Sequence, residues 1–509
     1  MTVYSWEYGS TEVGLSFTVV YDDQAKTFSV NVLEGHMDLN ALWFSDGDRL
    51  TEGNTKLSKS DNSLNMNGAT QVWEDGSPGS EKITWDLYQK TSSTGISNDG
   101  FYLTEGQSRT FVASTAVSDW LSGNIDDAIL GIRATSTSTA GGSIKWADAE
   151  AVRGNIYTDD VIVGEGDYQT LVGDTSGSMG DYEQGGNDQI TGGSGSYNEI
   201  VGDAYDTIGG NATGGNDEIR SAADAAEGDH YIFGDSGLLT ESAKGGNDRI
   251  LWTSGGTADI SGDAYLIDGN AIGGNDQFKI ANLSGSFNVY GDAVEMYGST
   301  RGGDDLLEGG IINSNGEWEI TQWYGDAILL TDSAMGGRDF IRGMSGSSFS
   351  DVGNVNNLIY GDAYDMQGSA IAGNDTLIGG DYASNAMWGD TQTAGAEVTL
   401  GNDRLISGAY ADDLMWGDAL IYSGLGGADV FVFEANNGVD QIRDFEFGHD
   451  KIEIKGITGI NGFGDLVVTL APGVGTGIPD SDSLIDFGSG NTVTVVGVTN
   501  LTASDFLFT

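Results

Sequence analysis

From about residue 155 onward the chain repeats itself, and a short repeat that cannot bury its own apolar side chains alone dictates a stacked architecture. Gly-Asp recurs with its aspartate at Asp174, Asp203, Asp235, Asp263, Asp292, Asp326, Asp362, Asp390 and Asp418, in steps of 29, 32, 28, 29, 34, 36, 28 and 28 residues. A second motif, Gly-Gly-Asn-Asp or a close variant, interleaves with it and ends at Asp188, Asp217, Asp248, Asp276, Asp305, Asp339, Asp375, Asp403 and Asp429. From each Gly-Asp to the following second motif the distance is 11 to 14 residues, whereas the return distance runs from 15 to 23. One half of each of the nine repeats is tightly specified, and the other half takes insertions.

Apolar spacing is equally regular. Two positions beyond the second motif stand Ile190, Ile219, Ile250, Phe278, Leu307, Ile341, Leu377, Leu405 and Phe431. Two positions before each Gly-Asp glycine stand Leu171, Ile200, Ile232, Ile260, Val289, Trp323, Ile359, Met387 and Met415. These predict two columns of inward knobs on short strands separated by Gly-rich turns, stacked about 4.8 Å apart. The expected fold is a parallel β-solenoid, nine coils forming a rod on the order of 40 Å long. Alternation then points the next residue outward: Val172, Val201, Phe233, Ser261, Tyr290, Tyr324, Tyr360, Trp388 and Trp416. That stripe has two readings. Either the variable segments or the first domain cover it, or it is an exposed aromatic ladder for glycan stacking or lateral contact.

Residues 1–150 have a different texture. Val13, Leu15, Phe17, Val19 and Tyr21 alternate, as do Phe28, Val30 and Val32, with the turn formers Asp22 and Asp23 between them. This is a hairpin with one buried face. Further short strands are expected around 110–112 and 128–132, and no stretch reads as a long amphipathic helix. The whole chain is therefore expected to be all-β: a β-sandwich binding or assembly domain over 1–150, the solenoid over 155–430, and a C-terminal β cap with a secretion signal over 431–509.

Charge narrows the partners. With 77 Asp plus Glu against 21 Lys plus Arg, the net charge is −56. Such a chain repels polyanions, which excludes nucleic acid and disfavours an anionic membrane surface; cations are the expected partners. Disorder is a poor fit to 11 Trp, 20 Tyr, 18 Phe and only three Pro. The chain has no cysteine, so disulfides and thiolate metal sites are excluded. No run of 18 apolar residues predicts membrane insertion, and the opening MTVYSWEYGS has neither the basic nor the apolar region of an export signal.

Stacking places like-numbered aspartates above one another in two columns. Two carboxylates about 4.8 Å apart repel by roughly 3 to 4 kcal/mol at an effective dielectric of 20. Eight neighbouring pairs per column would exceed the roughly 5 to 15 kcal/mol that holds a typical domain together. Turn capping explains an isolated Asp, but not two registered columns. The columns call for cations, and Ca²⁺ suits them best, because it accepts six to eight hard oxygen ligands in flexible geometry. Mg²⁺ demands a tighter octahedron and Zn²⁺ prefers His and Cys. All eighteen aspartates are candidate metal ligands, the second-motif set more strongly than the Gly-Asp set.

The segments Gly185-Gly186-Asn187-Asp188-Gln189-Ile190, Gly214-Gly215-Asn216-Asp217-Glu218-Ile219 and Gly245-Gly246-Asn247-Asp248-Arg249-Ile250 resemble half of the Gly-Gly-x-Gly-x-Asp-x-apolar-x repeat of RTX (repeats-in-toxin) proteins. The resemblance spans residues 155–509 and implies a calcium-dependent parallel β-roll. The family period is nine residues against 28 to 36 here, so the number of ions per coil is not implied. Gly426-Gly427-Ala428-Asp429-Val430-Phe431, Gly438-Val439-Asp440-Gln441-Ile442 and Gly448-His449-Asp450-Lys451-Ile452 resemble the region that closes such rolls. The ending Asp505-Phe506-Leu507-Phe508-Thr509 is similar to uncleaved C-terminal signals of type I secretion. The resemblance thus implies an extracellular or cell-surface protein that folds on meeting Ca²⁺.

Catalytic signatures are missing. His36, His230 and His449 are isolated, and neither a His-Glu-x-x-His nor a Gly-x-Ser-x-Gly motif occurs. Asp46 and Asp48 could form a glycosidase pair, but adjacent acids in a Gly turn are more simply a turn or a further Ca²⁺ loop. The expected protein is non-enzymatic, structural or adhesive, with copies of itself or surface glycans as partners. The competing reading is a secreted enzyme or carbohydrate-binding effector whose active site lies in 1–150, the solenoid serving as export module.

Overall fold

The structure is a computed structural model that describes residues 2–10, 14–45, 70–71, 85, 87–91, 101–125, 128–148, 152–222, 228–253, 255–281, 285–312, 319–422, 424–474 and 481–509. Val13, Asp46 and Asp48 lie outside the described residues. The chain is all-β and divides into two compact units, one of residues 1–156 with 181–183 and the other of the remainder.

In the first unit the expected hairpin pairs Leu15–Asp22 with Thr27–Glu34, placing Tyr21 opposite Phe28, Val19 opposite Val30 and Phe17 opposite Val32. It lies in a five-stranded antiparallel sheet, and a second sheet is centred on His36–Ser45 and Ile129–Thr135. Both sheets feed one apolar cluster in which Phe17, Val19, Phe28, Leu39, Leu42 and Ile132 are fully buried. One short helix, Thr115–Asn124, is N-capped by the Ser114 hydroxyl, which accepts the Val117 N–H.

The second unit is a parallel β-solenoid. One sheet of twelve strands runs from Val161–Val163 to Phe506–Phe508, and one of thirteen contains the strands that precede each Gly-Asp turn. The two apolar columns stack in register. Ile190, Ile219, Ile250 and Phe278 are cross-strand partners in the first sheet; Ile200, Ile232, Ile260 and Val289 are partners in the second. Both columns meet in a single buried cluster that continues through Trp323, Ile359, Met387, Leu405 and Phe431. Three C-terminal strands depart from the parallel order: Val467–Ala471, Asp482–Gly488 and Asn491–Val495 form an antiparallel meander that joins the second sheet through Val439–Ile442.

Each coil also has a third side. An eight-stranded parallel sheet begins at Ala204–Ile208 and ends at Ala419–Ile421, its strands starting directly after the Gly-Asp turns. It buries a separate core of Ala204, Ala264, Ala293, Ala327 and Ala363 with Ile208, Ile267, Met296, Leu330 and Met366. The Gly-Asp turn therefore leads from the second side to the third, and the Gly-Gly-Asn-Asp turn from the third to the first. The two aspartate columns bracket this narrow third side.

The aromatic stripe is not an exposed ladder. Tyr290, Tyr324, Tyr360, Trp388 and Trp416 form a buried cluster with Val294, Ile328, Leu358, Ala386 and Leu414. In-register strands hold consecutive rings at 4.7 to 5.1 Å and 7 to 10° from parallel, so each face is covered by its neighbour. Alternation correctly keeps these rings out of the main core, but stacking and the flanking aliphatics remove them from water.

Candidate metal centre: two buried aspartate columns

The second-motif aspartates form one continuous chain. The backbone N–H of Asp188 donates to Oδ1 of Asp217, that of Asp217 to Asp248, and the pattern runs through Asp276, Asp305, Asp339, Asp375, Asp403 and Asp429 at 2.6 to 2.8 Å. Parallel registration dictates this, since each turn sits directly above the next. In the Gly-Asp column each carboxylate accepts the N–H of the second motif's inner glycine in the same repeat. Gly186 donates to Asp174, Gly215 to Asp203, Gly303 to Asp292, Gly337 to Asp326, Gly373 to Asp362 and Gly401 to Asp390, at 2.6 to 2.8 Å. Gly246, Gly274 and Gly427 serve Asp235, Asp263 and Asp418 in the same way. All eighteen predicted residues thus lie where the repeat places them.

What remains unsatisfied defines the site. Oδ2 of all nine second-motif aspartates is buried without a hydrogen-bond partner, and so is one oxygen each of Asp174, Asp203, Asp292, Asp326, Asp362 and Asp390. Apart from Asp174, none of the eighteen is more than 4% exposed. An orphaned buried acceptor is costly, and an orphaned buried charge more so. Burial, the largest cause, raises the carboxyls of Asp292 and Asp362 to about 7 and that of Asp429 to about 9, and drives Asp203, Asp248, Asp305 and Asp326 well above the usual carboxylate range. Neighbouring aspartates add to the shift of Asp203, Asp248, Asp305 and Asp326 by like-charge repulsion.

The carboxylates crowd the motif glycines closely. A Cβ on Gly302 would sit 1.9 Å from Oδ1 of Asp326 and 2.5 Å from Oδ2 of Asp292, so oxygens of two successive rungs flank that glycine. A Cβ on Gly325 would sit 2.3 Å from the orphaned Oδ2 of Asp339. Ala372 and Leu400 replace the first glycine in the seventh and eighth repeats and pack on the third-side core. The inner glycine is constrained by backbone: a Cβ on Gly303 would lie 1.4 Å from the Gly274 carbonyl oxygen. Gly303→Ala is accordingly expected to destabilise the solenoid by at least about 3 kcal/mol, whereas Gly180→Ala, with open space around its Cβ, should stay within about 0.5 kcal/mol. Urea melts of the two variants in Ca²⁺ check this.

Several rungs escape the motif pattern. Asp160 donates its N–H to Oδ1 of Asp188 and starts the first column, and Asp450 accepts the N–H of Asp429 and ends it. Asp444 accepts from Gly417 and Asp418, taking the place of a tenth Gly-Asp rung. The signal was the apolar residue two positions on, Ile162 and Ile452, which pairs in register with the column. The motif asparagines also have a structural role. Asn216 donates its backbone N–H and its side-chain Nδ2 to Oδ1 of Asn187, and Asn247 does so to Asn216, building an outer amide ladder that starts on Asp159.

Among the described residues no three carboxylate or imidazole groups converge around one point. A cation between the columns would take carboxylate oxygens from one or two rungs and complete its shell from the backbone carbonyls that the glycines leave bare, a donor set of hard oxygens only. No protein-family model matches this chain, and no curated protein is significantly similar to it.

Proposed function

We propose that this protein is a secreted, calcium-binding solenoid of the RTX type, non-enzymatic, and structural or adhesive at a cell surface or in extracellular matrix. The observation that carries the reading is the set of fifteen buried carboxylate oxygens without partners, distributed along both columns. Protons or cations must neutralise them. At neutral pH a hard divalent cation does so at the lower cost, and extracellular Ca²⁺ sites fill near 10⁻⁴ to 10⁻³ M. A chain kept open by its own charge where free Ca²⁺ is low would stay competent for export and fold outside, its C-terminal segment acting as the type I address. Rigid rods could then engage one another or surface glycans.

The test is an ion count combined with scattering. Protein refolded in millimolar Ca²⁺ and freed of excess should retain several Ca²⁺ per chain by mass spectrometry of metals, and light scattering should rise as ordered assemblies form. A folded product with no bound Ca²⁺ defeats the calcium reading. A calcium-loaded but strictly monomeric product defeats the assembly reading alone.

A further inference from the structure

The solenoid sorts its charge by face. Residues 157–509 contain eleven Lys and Arg, and six of them, Arg220, Arg249, Lys279, Arg342, Arg404 and Lys451, lie in strands of the first sheet. Each stands next to a core residue of its own strand, as Arg220 does to Ile219 and Lys279 to Phe278, so alternation turns it to the outside. Among the described residues, no strand of the second or third sheet contains a Lys or Arg.

Only three acids share the first-sheet strands, Glu218, Glu308 and Glu453. Glu218 is held by Arg220 and Arg249, and Glu453 by Arg404 at 2.8 Å. Lys279, Arg342 and Lys451 make no ion pair among the described residues, in a chain where acids outnumber bases 77 to 21. This face is therefore net positive on a molecule of net charge −56.

The outer face of the second sheet is its converse. Glu199, Asp229, Asp259 and Asp412 stand there, each beside a buried neighbour: Asn198, His230, Ala258 and Asp413. Glu199 receives the hydroxyls of Thr170 and Tyr205, and Asp259 the amide of Asn288, all neutral donors that leave the negative charge in place.

The two sets stand level with each other. Arg220, Arg249 and Lys279 occupy three successive strands of the first sheet, and Glu199, Asp229 and Asp259 three successive strands of the second. Acids and bases alternate along the chain, one of each per coil, and both rows rise by about 4.8 Å per rung. Apolar side chains accompany both. Leu251, Leu306 and Phe340 are half-buried among the bases, and Tyr231 and Ile320, each 39% exposed, lie among the acids.

We infer that the first-sheet face of one copy docks on the second-sheet face of another, with the two solenoids parallel and unstaggered. This rests on the assembly reading above and names its surfaces. The contact joins two different faces, so each added copy leaves one of each free and the array stays open-ended. At physiological ionic strength the Debye length is about 8 Å, and facing rows then outweigh the net charge farther away. A uniform polyanion fits less well, because Glu218, Glu308 and Glu453 interrupt the positive face.

Sedimentation velocity of the full folded chain, in millimolar Ca²⁺ and about 0.15 M NaCl, compares wild type with two variants. One is Arg220→Glu with Arg249→Glu and Lys279→Glu; the other is Glu199→Lys with Asp229→Lys and Asp259→Lys. Each alone should need at least about tenfold more protein to assemble, and an equimolar mixture should recover wild-type behaviour, since every reversed face then meets its opposite. Circular dichroism in Ca²⁺ checks that both fold. Should either fail to fold, wild type still decides: about 0.5 M NaCl should disperse its arrays, and arrays indifferent to salt overturn the proposal. Folded variants that assemble like wild type, or a mixture no better than its parts, overturn the docking and leave assembly to another face. Wild type that associates only when heparin is added makes a polyanion the occupant and overturns it too. A strictly monomeric wild type defeats the assembly reading itself.

Discussion

Dialysis of the folded protein against EGTA at neutral pH is expected to abolish most of its β signal, and return to millimolar Ca²⁺ to restore it. Without a cation each buried carboxyl in the folded state either stays ionised against its neighbours, at about 3 kcal/mol per rung at an effective dielectric of 20, or takes up a proton that the unfolded chain does not hold at neutral pH, which costs folding a similar amount. Repeated along both columns, that exceeds the roughly 5 to 15 kcal/mol of a typical domain. The loss should be confined to residues 157–509, because the first unit has its own core of Phe17, Phe28, Leu42 and Ile132. Circular dichroism at 218 nm with limited proteolysis reads both parts. Equimolar Mg²⁺ should not substitute, since its octahedral shell fits poorly to oxygens fixed by a β ladder. Full retention of the β signal in EGTA would remove the physical basis for calcium.

The same columns reverse the usual acid response of the metal-free chain. Asp292 and Asp362 titrate near 7 in the folded state against 3.8 as free groups, because burial disfavours the charged form. A folded pKa raised above the unfolded one favours folding in full below pH about 4, and that contribution is lost as pH rises toward 7. Moving such a carboxyl from 3.8 to about 7 corresponds to about 4 kcal/mol per group. Lowering the pH of EGTA-treated protein from 7.5 to about 4 should therefore restore β structure, where an ordinary protein would unfold. The experiment needs dilute protein, since the pI is about 4.1. In saturating Ca²⁺ the direction inverts, because protons compete with the ion for the same oxygens. A metal-free chain equally unfolded at both pH values would show that the columns are not what limits folding.

Much of this architecture was legible in the repeat. Ile190 and Ile200 mark columns that the strands then register, because a residue two positions from a fixed turn has only one face to occupy. The third side was missed because its core is mostly alanine: Ala264 and Ala293 directly follow Gly-Asp, and only stacking turns such small side chains into a continuous buried row. Asp160 and Asp444 lack the flanking glycines, so motif spacing passes over them although the ladders end there. For Tyr324 and Tyr360 the sequence left cover and exposure both open. Alternation predicts direction but not cover, and the cover comes from the same residue type one coil away. The roles of Asn216 and Asn247 were not read, because a ladder of side-chain amides has no local signature.

The unequal halves of the repeat carry a last implication. The arc from Gly-Asp to Gly-Gly-Asn-Asp holds the third sheet and joins the two aspartate columns in nearly constant length, while the large length changes fall in the returning arc between the strands of the other two sheets. Copies are therefore interchangeable across this arc, and gain or loss of one whole unit leaves both aspartate columns unbroken. Reach becomes a countable quantity, set in increments of about 4.8 Å. Evolution can tune such a spacer by unequal recombination alone, without redesigning a single interface.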